Sequence, residues 1–178
     1  YKVVFKKGKE TYETTVTLEN DPKSLITESE RIANYETSRK LFTMSEALAY
    51  MVYEMDGIIE KAEAVAKDGG GKAADPLIGK LNALKETLVI TTGDNYVDSA
   101  EPQLREKLGQ LYAKVAQSFT APSSSEMENL ALLEERFNKA KVDSAEIKDK
   151  YWPKLEKFMN KKEIETLSLQ SFDEFIGS

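Results

Sequence analysis

The sequence predicts a mainly α-helical fold: an up-down four-helix bundle preceded by a short N-terminal β-hairpin. Two patterns indicate this fold. In the first twenty residues apolar and polar side chains alternate, which is typical of half-buried strands. After Pro22 apolar residues recur every three or four positions in four stretches joined by short loops. An up-down bundle is the simplest architecture for four such helices.

The hairpin is predicted from two alternating segments and the turn between them. Tyr1 to Lys6 and Tyr12 to Glu19 carry aromatic and β-branched residues at every second position, and Gly8 supplies a turn residue between them. Two strands alone are only marginally stable in water. We therefore expect residues 1–22 to pack on helices or to belong to a sheet that begins before Tyr1.

The first helical stretch runs from about Ile26 to Ala66, as one long helix or as two with a break. Gly57 is a weak point in its interior. The glycines at 69–71 end this helix and predict a flexible surface loop. The apolar stripe consists of Ile32, Tyr35, Leu41, Met44, Leu48, Met51, Met55, Ile58, Ala62 and Val65.

Two further helices follow the glycines. Asp75 and Pro76 are predicted as the N-cap and first residue of the second helix, which residues 89–95 interrupt. The third helix is expected to begin near residues 99–102. The second stripe consists of Leu77, Ile78, Leu81, Leu84 and Leu88, and the third of Leu104, Leu108, Leu111, Tyr112 and Val115.

The fourth helix is predicted to begin at a serine within 123–125, with Glu126 or Glu128 as the partner of a capping box. Pro153 is expected to kink or restart it. The tail, residues 164–178, is irregular and is expected to pack loosely over one end of the bundle. The stripe consists of Met127, Leu130, Leu133, Phe137, Ala140, Ile147, Tyr151, Leu155, Phe158 and Met159.

The composition excludes several kinds of site. The 178 residues contain neither cysteine nor histidine, so Ser-His-Asp triads, Cys-His pairs, thiolate or imidazole metal sites and thiol redox chemistry are impossible within this chain. We predict no cofactor and no metal site. The net charge of −6 argues against nucleic-acid binding, and no apolar run approaches the roughly 20 residues of a transmembrane segment.

Carboxylates are the only plentiful catalytic groups, and we interpret them as solvated helix faces. A di-iron bundle requires Glu-x-x-His pairs, which a chain without histidine lacks. A glycosidase needs two carboxylates in an open cleft, but acidic pairs are common on helices. We therefore predict no catalytic residue. The two clusters are Glu54, Asp56, Glu60 and Glu63, and Glu126, Glu128, Glu134 and Glu135.

Tyr151 and Trp152 form the one candidate docking surface that the sequence suggests. They precede Pro153 in an unusual local sequence, and we favour two aromatics filling the end of the bundle over an exposed patch.

Two other motifs are interpreted as structural. Gly69-Gly70-Gly71-Lys72 lacks the spacing of a phosphate-binding loop. The methionines that share one face of the first helix are interpreted as core rather than as a binding groove; they are Met44, Met51 and Met55.

Short segments at the start of the chain and between residues 104 and 123 resemble a known arrangement. The segments are Tyr1-x-Val3-x-Phe5-x-x-Gly8-Lys9, Val16-x-Leu18-x-x-Asp21-Pro22-Lys23, residues 104–112 and Ala121-Pro122-Ser123. The first two resemble the end of the fibronectin-like module in large bacterial BNR-repeat proteins, the sortilin-like proteins often labelled glycosyl hydrolases. There, a strand ending in Asp-Pro-Arg leads into a C-terminal helical region, and Lys23 stands in the arginine position. The last two resemble that region's helix and its Pro-Thr/Ser corner.

The resemblance implies a non-catalytic C-terminal accessory or structural domain of an exported BNR-repeat protein. Residues 1–22 would be the end of a truncated β-sandwich module and residues 23–178 the helical bundle. The implied partners are the N-terminal propeller and β-sandwich domains of the parent chain, and the implied location is the periplasm, the outer surface or the extracellular space. No functional residue of the family maps onto this chain.

Two other functions are considered. The first alternative is a stand-alone helical protein-interaction module that binds its partner through the Tyr151/Trp152 region or the methionine face. A carboxylate hydrolase acting on glycans ranks last, because nothing distinguishes one acidic pair from the others.

Overall fold

A computed structural model describes residues 1–19, 21–90 and 101–177. The described chain is mainly helical with a two-stranded antiparallel hairpin at its N-terminal end, which confirms this part of the predicted fold. The strands are β1 (Lys2–Lys7) and β2 (Glu10–Thr15). The helices are α1 (Glu28–Val65), α2 (Gly71–Leu88), α3 (Leu104–Ala116), α4 (Ser124–Lys161) and α5 (Phe172–Ile176). No described helix has the length and apolarity that crossing a bilayer requires.

Helix α1 is continuous, so the alternative of two helices with a break is wrong. The Thr27 hydroxyl accepts from the backbone N–H of Glu30, and the Glu30 carboxylate accepts from the backbone N–H of Thr27 at 2.8 Å, which completes a capping box. The predicted stripe is buried from Leu41 onward, whereas Ile32 and Tyr35 are 50% and 62% exposed.

Polar residues continue the inward face of α1 toward its N-terminus. Thr37 lies four residues before the buried Leu41 and is itself buried. Asn34 lies three residues further back, and its Nδ2 donates to the carbonyl oxygens of Val115 at 2.8 Å and of Thr120 at 3.1 Å. A search for apolar residues alone misses this part of the stripe, which is why Ile32 and Tyr35 were wrongly predicted as core.

The glycine run forms a compact turn rather than the predicted flexible loop. Residues 66–70 make a tight turn in which Asp68 and Gly69 leave helical geometry, Gly69 with φ +91°, and Gly70 is buried. Helix α2 then begins at Gly71, so the predicted cap at Asp75 and Pro76 is wrong. The helix starts earlier because Ala74, which is fully buried, extends its apolar face by another turn.

The helices form three rows, and the predicted four-helix up-down arrangement is not confirmed. Helices α2 and α3 lie one after the other along α1, and both run antiparallel to it. Lys85 of α2 pairs with Asp56 in the second half of α1, whereas the end of α3 meets Asn34 near the start of α1. Helix α4 then packs on α1, α2 and α3.

Ion pairs at two levels show that α4 runs parallel to α1. Lys40 of α1 pairs with Glu134 of α4 at 2.8 Å, and Glu54, further along α1, pairs with Lys148 at 3.6 Å. Helix α1 therefore runs in one direction, α2 and α3 both run in the opposite direction, and α4 runs in the direction of α1. Helix α2 ends at Leu88, as the predicted interruption from residue 89 requires, and residues 91–95 of that prediction lie outside the described residues.

The predicted start of α4 is confirmed, whereas the restart that was predicted as one alternative at Pro153 is wrong. Ser123 is the N-cap, and its backbone N–H donates to the Glu126 carboxylate at 2.7 Å. The helix passes through Pro153 without a restart and ends at Lys161. Helix α3 begins at Leu104, slightly later than predicted, and residues 99 and 100 of that prediction lie outside the described chain.

The C-terminal tail packs on the middle of α1 rather than loosely over one end of the bundle. The Tyr50 hydroxyl donates to the carbonyl oxygen of Gln170 at 3.0 Å, and the backbone N–H of Gln170 donates to the Tyr53 hydroxyl at 3.3 Å. Leu169 covers Gly57, where a Cβ atom would lie only 2.6 Å from its Cδ2. The glycine in α1 therefore makes room for the tail.

Replacing Gly70 should destabilise the bundle because the turn leaves no space for a side chain. A Cβ atom there would lie 2.6 Å from Cγ1 of Val65 and 2.9 Å from Cε1 of Phe158. We expect Gly70→Ala to lower the free energy of unfolding by about 1–3 kcal/mol, as measured by urea denaturation.

Gly79→Ala is the matched control. Gly79 lies inside α2 and its Cβ position has no neighbouring heavy atom within 4 Å. This substitution should raise stability by about 0.5–1 kcal/mol through helix propensity alone. Equal effects of the two substitutions would contradict the tight packing of the turn.

Candidate functional site

The hairpin presents one apolar face and one polar face. Its register pairs Val3 with Thr14 and Phe5 with Tyr12, and the backbone of Tyr1 bonds to that of Val16. Because side chains alternate between faces along a strand, these residues share one face. The opposite face carries Lys2, Val4, Lys6, Thr11, Glu13 and Thr15. We call the first of these the apolar hairpin face and define it as Tyr1, Val3, Phe5, Tyr12, Thr14 and Val16; the pair Lys7 and Glu10 lies at its turn end.

No described helix covers the apolar hairpin face. Every residue of both strands is exposed, including Phe5 at 59% and Tyr12 at 53%. The two rings contact each other across the strands, with centroids 6.4 Å apart. The expectation that the hairpin packs on the helices therefore fails for the described chain. Clustered exposed apolar side chains mark a contact surface more often than single ones do.

Tyr151 and Trp152 lie near the C-terminal end of α4, and both are half-buried against the core. Tyr151 lines a groove of about 610 Å³ between α2 and α4, whose floor includes Leu84 and Leu104. Neither aromatic is prominently exposed. Their role as a docking surface stays a prediction.

The rim of this groove carries four cations, three of which have partners within the chain. The Nη2 atom of Arg136 lies 3.5 Å from the carbonyl oxygen of Thr87, near the end of α2. Lys139 pairs with Asp143 at 2.7 Å, and Lys150 Nζ lies 5.4 Å from the ring centroid of Tyr151. The fourth cation is Lys80. Most of the cations at this rim thus already have a partner within the fold.

Four carboxylates of the two clusters make structural contacts. Glu54 pairs with Lys148, Asp56 with Lys85, and Glu134 with Lys40. Glu126 caps α4. Within residues 1–19, 21–90 and 101–177, no three acidic side chains are grouped as a metal site would need.

Capping explains every carboxylate whose pKa is shifted in the described chain. The Thr27 hydroxyl, and next its backbone N–H, hold the pKa of Glu30 below its ordinary value. For Glu126 and Glu174 the backbone N–H of the serine three residues earlier lowers the pKa most, and the serine hydroxyl adds to it. All three are the third residue of a helix, so these shifts mark the starts of α1, α4 and α5.

The other sequence candidates belong to the core. Met44, Met51 and Met55 are buried in α1, which agrees with their interpretation as core residues. Gly70 packs against Phe158 of α4, so in the described structure the glycine run brings the turn before α2 into close contact with α4. The exposure of the apolar hairpin face could not be predicted from sequence. Alternation shows which residues share a face of a strand, but it does not reveal what that face packs against.

Comparison with known proteins identified no relative. No family model, no curated protein and no solved structure matches the chain.

Acid should weaken the bundle partly through the capping carboxylates. A carboxylate whose pKa is lowered by folding stabilises the protein above the unfolded-state pKa, near 4.5, and this contribution is lost as the pH falls through the lower folded-state value. We expect Glu126→Gln to reduce the loss of stability between about pH 6 and about pH 3, measured by urea denaturation.

Glu128→Gln is the control for this experiment. Glu128 lies one half-turn further along α4 and makes no hydrogen bond or ion pair within the described residues. Its replacement should leave the pH dependence close to that of the unchanged protein. A pH profile that is identical for both variants would refute the capping contribution.

Replacing Trp152 should reduce stability, because its ring packs against the core. A fully buried aromatic costs about 3–5 kcal/mol when truncated to alanine, and the half-buried position of Trp152 predicts a loss of about 2 kcal/mol. Urea denaturation of Trp152→Ala, with Trp152→Phe as the conservative control, measures this loss. Unchanged stability in Trp152→Ala would favour the docking hypothesis instead.

Proposed function

We propose that this chain is a non-catalytic accessory domain that is joined to a β-sandwich through its hairpin. The single observation that carries the proposal is the apolar hairpin face, which is exposed on a two-stranded sheet. Two strands alone are marginally stable, so this hairpin requires a partner that supplies more strands or a packing surface.

The chemistry of the hairpin fits the inner layer of a β-sandwich. The strands of a sandwich turn alternate residues toward an apolar interior and toward solvent. The hairpin has this division, with aromatic and β-branched residues on one face and lysine, glutamate and threonine on most of the other. Each strand also has one edge without a neighbour in the described structure, where a further strand can add hydrogen bonds.

The helical part is suited to a supporting role. Its core is a continuous apolar cluster that involves α1, α2, α3 and α4. The resemblance of the hairpin and of residues 104–123 to BNR-repeat proteins supports the more specific proposal that the parent is such a protein. In that case the partners of this chain are the propeller and β-sandwich domains of the parent protein, and the parent protein is located in the periplasm or on the outer surface.

Val3 and Val4 provide a sharp test of the proposed attachment. They are neighbours in β1 with nearly equal exposure, 44% and 46%, but they lie on opposite faces. In the complete product of the gene that encodes this chain, Val3→Ser should lower the free energy of unfolding of the hairpin region by about 1–2 kcal/mol, because Val3 is then buried. Amide hydrogen exchange in β1 and β2 measures this change.

Val4→Ser is the control and should change stability by about 0.5 kcal/mol or less. In the isolated 178-residue chain both substitutions should have small and similar effects, since both side chains are exposed there. Equal effects in the complete gene product, or a product without a β-sandwich domain, would overturn the proposal.

The stand-alone interaction module remains the second candidate, and the position of Tyr151 favours it. This residue lines the groove between α2 and α4, where apolar side chains meet a cationic rim. Under this alternative, Tyr151→Ala abolishes the capture of a partner protein while the urea midpoint changes little. Under the accessory-domain proposal, the same substitution affects only stability.

A further inference from the structure

We propose that a second cavity, between α1 and α4, binds a small aromatic carboxylic acid. The cavity has a volume of about 310 Å³, and Phe172 of the C-terminal tail forms part of its wall. This inference does not depend on the proposed function. We call this site the α1–α4 cavity and define it by Ala47, Tyr50, Met51, Glu54, Phe137, Lys141, Ser144, Ala145, Lys148 and Phe172.

The walls of the α1–α4 cavity suit one aromatic ring. Met51 comes from α1 and Phe137 from α4, and both are more than nine-tenths buried. Tyr50 contacts Phe172 edge to face, with ring centroids 5.4 Å apart. Small-molecule sites usually have volumes of about 300–1,000 Å³, so this cavity is at the lower limit and fits a single-ring compound. Aromatic and thioether groups are favourable neighbours for such a ring.

Ser144 places an unpaired hydroxyl group in this apolar cavity. The residue is only 4% exposed, and its hydroxyl has no hydrogen-bond partner among the residues that the structure describes. Thr37 and Ser45 of α1 behave differently, since each donates to the carbonyl oxygen four residues earlier, at 2.8 and 2.9 Å. The Ser144 hydroxyl lines the cavity and makes no hydrogen bond within the described fold, so it is available to donate to a ligand atom.

Lys141 supplies a positive charge at the same cavity. Its Nζ lies 5.6 Å from the ring centroid of Phe137, and it pairs with no carboxylate among the described residues. Lys148, also at the cavity, is already paired with Glu54 at 3.6 Å. Phe137, Lys141, Ser144 and Lys148 follow each other at steps of three or four residues, which places them on one face of α4.

These groups favour a carboxylate over other ligand chemistries. A carboxylate accepts the Ser144 hydrogen bond and complements the charge of Lys141, while the attached ring packs on Met51 and Phe137. An aromatic amine would meet two lysines and only one glutamate at the cavity. A neutral aromatic alcohol would leave Lys141 without a counter-charge.

Phenylacetate is a suitable probe for the intact 178-residue chain. In an NMR titration of the ¹⁵N-labelled protein, saturable shifts should appear at the amides of residues 137–148 and near Phe172. The neutral analogue 2-phenylethanol should bind at least about tenfold more weakly, because a hydrogen bond to a charged group contributes more than a neutral one. Absent binding, shifts located elsewhere or equal affinity for the neutral analogue would overturn the proposal.

Three variants test the roles of the cavity residues. Ser144→Ala and Lys141→Met should each weaken phenylacetate binding by about tenfold. Ala145→Leu should abolish binding by filling the cavity, and it is tolerable for the fold because Ala145 is an exposed helical residue. Far-UV circular dichroism and the urea midpoint establish that each variant is folded.

Ser45→Ala is the matched control for Ser144→Ala. Ser45 is also a partly buried helical serine, but its hydroxyl is satisfied by the carbonyl oxygen of Leu41 and it does not line the cavity. Its replacement should leave the affinity for phenylacetate unchanged. Affinity that survives both Ser144→Ala and Ala145→Leu would refute the assigned site.

Discussion

The packing of the inner face of α1 is the interaction on which the rest of the structure depends. Every other helix of the described chain contacts α1: α2 and α3 in succession, α4 in parallel, and α5 on its middle. Its buried stripe from Leu41 to Val65 therefore contributes to all of these interfaces. The length of α1 also explains the three-row arrangement, because one long helix accommodates two shorter ones end to end.

The hairpin and the helices obey different physical constraints. The helices bury their apolar stripes against each other, and capping boxes at Thr27, Ser123 and Ser171 satisfy backbone groups at three helix starts. The apolar hairpin face has no such cover in the described structure. This contrast underlies the proposed attachment to a β-sandwich. The α1–α4 cavity differs again, since there the Ser144 hydroxyl, without a partner in the described fold, lies among both apolar and charged side chains.

Features of this fold that depend on neighbouring residues are predictable from sequence, whereas those that depend on distant residues are not. The hairpin and the Ser123 cap were predicted correctly, because alternation and capping are short-range patterns. The inward role of Asn34 was missed, since its partners are the carbonyl oxygens of Val115 and Thr120, more than eighty residues away. Ser144 was missed for a related reason: a search for apolar positions passes over a serine, although it lies four residues after the buried Ala140.

The mainly helical class, the hairpin and the exclusion of histidine and cysteine chemistry follow from composition and from periodicity within one element, so they can be predicted without a structure. The three-row packing, the compact glycine turn and the position of the tail on α1 emerge only when the chain folds. Each of these depends on which distant surfaces meet. The close contact of Gly70 with Phe158 and the cover that Leu169 gives Gly57 are examples. Local periodicity contains no information about such partners.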